Sequence, residues 1–151
     1  VYPARTARFG VALTDQGTMQ LKHKRFKLDL GPIDAECTCS TCAHFSRAYL
    51  HLLAGKEQTG ARLITIHNIG YMMRLGKRMR EHIQNGSFPS FVVDFFNTWY
   101  PKGDYPKWCV DALQAVGIAL PVSPAQDSNL KAASGGSGSK RAREETAAES
   151  G

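Results

Sequence analysis

Three cysteines fall within six positions, Cys37-Thr38-Cys39-Ser40-Thr41-Cys42, and a fourth, Cys109, stands alone. A disulfide framework spreads its cysteines out, whereas clustered thiols in a chain with no secretion signal read as metal ligands. Zinc(II) takes four tetrahedral ligands of thiolate and imidazole type, and a structural site leaves no position open to water. The spacing Cys-x-Cys-x-x-Cys lets one tight loop deliver three thiolates. Cys42 falls at or just before a helix start, where the positive end of the helix dipole helps keep a thiolate ionised. His67 is the best candidate for the fourth ligand, because it sits in the apolar stretch Ile66-His67-Asn68-Ile69, where an unpaired imidazole is costly. Alone, it would read as a core histidine with a hydrogen-bond partner; three thiolates short of one ligand favour the metal. Among the rivals, His44 is two residues past Cys42 and would strain the loop, and His51 lies more than two helical turns away. Cys109 reads more simply as a small buried apolar residue beside Trp108. One closed Cys3His zinc site contributes folding energy and not catalysis.

Arg5 and Arg8 form the second constellation. Three residues apart ahead of Gly10, they can present two guanidinium forks to phosphates or base edges. On spacing alone, two solvated surface arginines fit better.

The elements that position these groups follow from pattern. Residues 1–30 read as extended, opening on Val1-Tyr2-Pro3 as if at the end of a strand of something longer. Within them, 11–13 and 19–21 flank Thr14-Asp15-Gln16-Gly17-Thr18 as a hairpin. Gly31-Pro32 punctuates the chain before the cysteine loop. A short helix is expected over 44–54, with Phe45, Ala48, Tyr49 and Leu52 on one face and Gly55 as its stop. A longer one spans 59–84, with Leu63, Ile66, Gly70 and Met73 at helical spacing, a basic last third, and Asn85-Gly86 at its end. Residues 88–100 form an aromatic-rich third helix and 106–116 a fourth.

Hydrophobic residues make up 42% of the 151 and charged residues 21%, as in an ordinary soluble globular protein. No apolar run approaches the roughly 20 residues that span a bilayer, and Arg5 and Arg8 are followed by no apolar core of a signal peptide. The net charge of +6 lies in residues 1–120, with fifteen basic against nine acidic groups. Such a surplus suits an anionic partner, nucleic acid above all, and an ordinary basic surface explains it equally well. Segment 22–27 packs four cations into six residues. From 121 the composition turns to Ser, Ala, Gly, Lys and Glu, which cannot bury enough apolar surface to fold, so 121–151 reads as a disordered tail. Its Lys140-Arg141-Ala142-Arg143 run fits a nuclear import signal, though such a run is more often only solvated.

Taken in order, Pro3-Ala4-Arg5-Thr6-Ala7-Arg8-Phe9-Gly10, Gly31-Pro32-Ile33-Asp34, Cys37-x-Cys39-x-x-Cys42, Ser46-Arg47-Ala48-Tyr49-Leu50 and His67-Asn68 resemble the tRNA-guanine transglycosylases. The resemblance runs over residues 1–100 at least, and the pairing of Trp108 with Asp111-Ala112-Leu113 extends it. It is similar in detail to the C-terminal part of the eukaryotic catalytic subunit, which exchanges guanine for queuine. The resemblance implies an α/β chain, a C-terminal fragment of a (β/α)8 TIM barrel with an inserted zinc-binding subdomain, mostly helical after residue 42. In that reading 1–30 ends the barrel and carries the tRNA-contact segment 4–8. Residues 31–70 form the zinc subdomain, 59–120 the C-terminal helices, and 121–151 the tail.

The family exchanges guanine at the tRNA wobble position for queuine or a precursor base. An aspartate attacks the ribose anomeric carbon, and a second aspartate handles the proton transfers. By resemblance, Ala4, Arg5, Thr6, Ala7 and Arg8 contact the anticodon loop, and Cys37, Cys39, Cys42 and His67 hold one zinc. The nucleophile is expected immediately before Val1 and the second aspartate and base pocket further upstream. None of Asp15, Asp29, Asp34, Asp94, Asp104 or Asp111 fills the role, so these 151 residues alone are expected to be inactive. Implied partners are the tRNA anticodon loop, the queuine or guanine base, and a non-catalytic paralogous subunit completing a heterodimer. The implied location is cytoplasmic, with peripheral association with the mitochondrial outer membrane also within the family's range. Two alternatives remain, the non-catalytic partner subunit itself and an independent zinc-stabilised nucleic-acid or protein interaction module.

Overall fold

The computed structural model describes residues 1–121; the expected tail and its Lys140–Arg143 run lie outside the described residues, apart from Pro121. Six α-helices and one β-hairpin follow in order: α1 (Tyr2–Arg8), β1 (Val11–Thr14), β2 (Gly17–Gln20), α2 (Ser40–His44), α3 (Arg47–Leu53), α4 (Gln58–Gln84), α5 (Phe88–Trp99) and α6 (Lys107–Ala115). A 3-10 turn at Lys24–Phe26 follows the hairpin. The chain divides into two compact units, Val1–Pro101 and a second beginning at Lys102. Among the described residues, no helix is long and apolar enough to cross a membrane.

The first correction lies at the start, where residues 2–8 are helical and not extended. Pro3 occupies the first turn, where its fixed φ is pre-organised for a helix and its missing N–H is no loss. Thr6 Oγ1 donates back to the Tyr2 and Pro3 carbonyls at 3.0 and 3.1 Å. Arg5 and Arg8 sit in the last turn, where cations complement the dipole. The helix closes where Gly10 takes φ +76°, a left-handed conformation that a side chain disfavours.

The hairpin pairs β1 and β2 antiparallel, with Thr14 opposite Gly17. Its turn is therefore the two residues Asp15-Gln16, tighter than the five-residue linker expected. Thr14 Oγ1 braces it with a 2.9 Å bond to the Gly17 carbonyl.

The helix expected over 44–54 is two helices. Ser46 interrupts the run by accepting the Tyr49 N–H at 3.2 Å, which starts α3 afresh. The break shifts the helical phase, so Leu50 and Ala54 enter the core, whereas Leu52 and Tyr49 stay exposed. Tyr49 stacks on Phe45 at 5.2 Å.

Helix α4, 27 residues and about 40 Å long, is the spine. Its ends agree with the sequence reading, but its buried stripe does not. Gly60, Ile64, His67, Asn68 and Tyr71 face inward, at helical spacing. Of the expected stripe, Ile66 and Met73 are exposed. Gly60 is where α3 crosses: a Cβ there would lie 2.7 Å from the Leu53 Cβ and 2.8 Å from its carbonyl oxygen. The core gathers Ala7, Ala12, Leu21, Phe26, Ile33, Leu50, Ala54 and Ile64, with Met19 of β2 and Cys42 of α2 packed half-buried against it. Helix α5 continues outward as a ladder of rings, with His82 of α4 stacked on Phe91 at 4.7 Å and Phe91 on Phe95 at 6.2 Å.

In the second unit, α6 buries Cys109 and Val110 and carries a Lys107–Asp111 ion pair of 2.7 Å on its exposed side. Cys109 is thus the small buried residue expected of it.

Candidate metal centre

The cysteine loop opens with a turn in which the Cys37 N–H reaches the Asp34 carbonyl at 3.3 Å. Cys39 caps α2, its sulfur accepting the Cys42 N–H at 3.4 Å, so Cys42 rides on the helix's first turn. His67 meets them from the middle of α4, wholly buried. Its Nδ1 lies 3.6, 3.7 and 3.3 Å from the sulfurs of Cys37, Cys39 and Cys42. All four ligand atoms fall within 4.8 Å of one another. Tetrahedral zinc, with Zn–S of about 2.3 Å and Zn–N of about 2.0–2.1 Å, requires S···N separations near 3.6 Å. The four side chains therefore fit one zinc ion, with no ligand position left over. This is the only such group of metal-ligating side chains among the described residues. His44 is exposed on α2, and His51 bonds through Nδ1 to the Leu21 carbonyl at 2.7 Å, so neither competes.

The imidazole is held in the ligating tautomer. His67 Nε2–H donates to the Leu13 carbonyl at 2.8 Å, which leaves the Nδ1 lone pair aimed at the thiolates. Burial pushes the His67 pKa down against the pull of that bond, keeping the ring neutral as a ligand must be. The thiols diverge. At Cys37, burial opposes ionisation, but donation from the Cys39 backbone, the neighbouring thiols and Arg74 takes its pKa below the usual thiol value. At Cys42, burial and the adjacent thiolates push it up to about 12. Three thiolates at this separation need a cation among them, and the metal supplies it.

Two residues that sequence reasoning did not single out complete the centre. Arg74, two helical turns beyond His67, donates to Cys37 Sγ at 2.9 Å and to Asp34 Oδ2 at 3.3 Å. Three thiolates around one Zn2+ leave a net negative charge, and Arg74 sits against it. Asn68 is wholly buried and fully engaged. Its Oδ1 accepts the Leu13 N–H at 2.9 Å, and its Nδ2 donates to the carbonyls of Pro3 and Val11 at 3.1 and 3.0 Å and to Thr6 Oγ1 at 3.3 Å. In a strand, alternate residues bond to alternate sides; Val11 and Leu13 face away from β2, and His67-Asn68 occupies that edge. One dipeptide thus joins the metal to β1 and to α1. The signal was there in the sequence, since an Asn on an apolar helix stripe must find partners.

Segment 4–8 therefore stands on the same framework. Ala4, Arg5 and Arg8 are exposed, and the two guanidiniums lie one turn apart on α1. Thr6 is half-buried against Asn68, and Ala7 is fully buried in the core. The segment has an outward cationic side and an inward anchoring side.

A family model described as queuine tRNA-ribosyltransferase matches residues 1–101. The queuine tRNA-ribosyltransferase catalytic subunit of Schizosaccharomyces pombe is 45% identical over 129 residues, covering 80% of this chain and 32% of that protein. That of Caenorhabditis elegans is 38% identical over 135 residues, covering 80% and 34%. The queuine tRNA-ribosyltransferase of Deinococcus radiodurans is 42% identical over 115 residues, covering 76% and 29%. The chain spans about a third of the length of these curated relatives. With the Cys3His zinc site built and the match running through it from α1 to the end of α5, the chain belongs to the queuine tRNA-ribosyltransferase family.

Proposed function

We propose that this chain is the zinc-bearing C-terminal part of a queuine tRNA-ribosyltransferase catalytic subunit. The whole-length enzyme exchanges guanine at the tRNA wobble position for queuine. Residues 1–30 end its (β/α)8 barrel, 31–70 form the zinc subdomain, and 59–120 form C-terminal helices. The catalytic aspartates and base pocket belong to the two thirds of the relatives' length that residues 1–151 do not match. The observation that carries the reading is α1. Its exposed Arg5 and Arg8 are held through Asn68 to the strand that orients the zinc ligand His67. A transglycosylase must hold an RNA loop still while a ribose is attacked, and misplacement by about 1 Å costs on the order of a hundredfold in rate. A metal-braced helix presenting two guanidiniums meets that need: Ala4, Arg5 and Arg8 touch the anticodon loop, while Thr6 and Ala7 anchor them.

The alternative of a non-catalytic partner subunit has less support, because the eukaryotic relatives matched bear the name of the catalytic subunit. Such a paralogue, and a cytoplasmic setting, complete the proposal as partner and place. The test uses the whole-length enzyme, labelled guanine and substrate tRNA. Arg5→Ala and Arg8→Ala are each expected to weaken tRNA binding by about 1–3 kcal/mol with zinc content unchanged. Normal exchange and normal affinity in both variants would remove α1 from the RNA interface.

A further inference from the structure

An open groove of about 660 Å³ runs between the outer side of α1 and the first turns of α4. Ala4 and Arg8 form one wall, Lys56 and Glu57 the end, and Arg62 and Thr65 the other wall. Its cations stand apart from the structural ones. Arg47, Arg74, Lys77, Arg78 and Lys107 each hold a carboxylate. Arg8, Lys56 and Arg62 hold none among the described residues, and Glu57 is the one acid on the lining.

A fourth cation is seated beside them. The aliphatic stem of Lys22 crosses two glycines, Gly10 and Gly55, both in the left-handed region at φ +76° and +70°. A Cβ at Gly10 would lie 3.2 Å from Lys22 Cγ, and one at Gly55 would collide with Lys22 Cε and Nζ. Both glycines are needed where α1 and α3 end, and together they clear a channel that carries the ammonium to the Gly55–Lys56 corner. A fixed seat spares a long side chain part of the entropy it would lose on meeting a ligand.

We propose that this groove binds the backbone phosphates of the substrate RNA next to the nucleotides met by α1, with Lys22, Lys56 and Arg62 as the contacting residues. The proposal rests on reading α1 as an RNA-contacting helix, since Arg8 belongs to both surfaces. A groove of this volume exceeds a single phosphate, and unpaired cations along two walls suit a strand of anions more than one.

Salt dependence of tRNA binding by the whole-length, zinc-loaded enzyme tests this. Each phosphate contact on single-stranded RNA contributes a slope of about −0.7 to log K against log salt. The double variant K56A/R62A is expected to flatten the slope by about 1.4. At 0.1 M salt that amounts to roughly 25-fold weaker binding, with zinc content and unfolding midpoint unchanged because both residues are exposed. K22A should add about 0.7 more, and K77A, a cation remote from the groove, should leave the slope alone. An unchanged slope in K56A/R62A overturns the groove, whatever α1 does. Loss of a partner subunit without any change in RNA affinity also overturns it, and assigns the groove to a protein. If R5A and R8A bind RNA normally while K56A/R62A does not, the groove stands and the α1 reading falls.

Discussion

Asn68→Ala is the sharpest perturbation of the framework that joins the zinc centre to α1. Removing the carboxamide leaves the Leu13 N–H and the Val11 carbonyl without the partners they have at 2.9 and 3.0 Å. Both residues are buried, so water does not replace the lost bonds. The Pro3 carbonyl keeps Thr6 Oγ1, and Thr6 keeps its own acceptors, so those two groups lose less. An orphaned buried polar group costs about 1–3 kcal/mol. Two of them therefore cost about 2–6 kcal/mol, a large share of the roughly 5–15 kcal/mol that holds an ordinary domain together. The loss falls locally on α1 and β1. Hydrogen exchange of the zinc-loaded protein should show the amides of α1 and β1 opening faster by about 30-fold or more, with α5 unaffected and one zinc retained. Met73→Ala, on the same helix but 71% exposed, is the control and should change stability by no more than about 0.5 kcal/mol. Should Asn68→Ala leave α1 exchange and the unfolding midpoint where they were, the Asn68 bridge carries no energy. The link between metal and RNA helix would then have to be abandoned.

Other consequences can be checked directly. Cys39→Ser should reduce zinc from one ion per chain to none under mild chelation and cost helical signal, since structural zinc contributes on the order of 10–16 kcal/mol in small domains; full occupancy by metal analysis in a Cys37/Cys39 double variant would contradict the ligand set. Burial, with the Asp15 carboxylate nearby, pushes the Tyr71 phenol up to about 12, above the usual 10. A raised folded pKa contributes stability that is complete below pH 10 and lost as pH rises toward 12, so alkaline unfolding should move to higher pH in Tyr71→Phe. Residues 1–151 alone should exchange no labelled guanine even when zinc-loaded. They should also self-associate in light scattering, because Ile66, Ile69 and Met73 leave an apolar stripe uncovered on α4. A monomeric, active chain would refute both.

The metal centre was legible from residue types alone. Thiolate and imidazole chemistry is nearly unique to metals when three sulfurs crowd one loop, and neither ligand identity nor loop spacing depends on the rest of the fold. The ends of α4 and the hairpin were legible for a similar reason, since Asn85-Gly86 and Asp15-Gln16-Gly17 act through their own backbone preferences. Helix α1 was not. Seven residues are too few to be helical by propensity, and this helix exists because Ala7 enters the core and Asn68 grips Pro3 and Thr6 from 65 and 62 positions away. The buried stripe of α4 was misjudged because two apolar faces lay side by side on one helix. Only packing chose the one carrying Gly60, whose missing side chain admits α3. Arg74 looked like one of several basic residues in a helix end until the fold brought it against Cys37. Local chemistry was written in the order of residues, whereas the Asn68 bonds that fix α1, and with it Arg5 and Arg8, against the rest of the fold span the chain and had to await its tertiary closure.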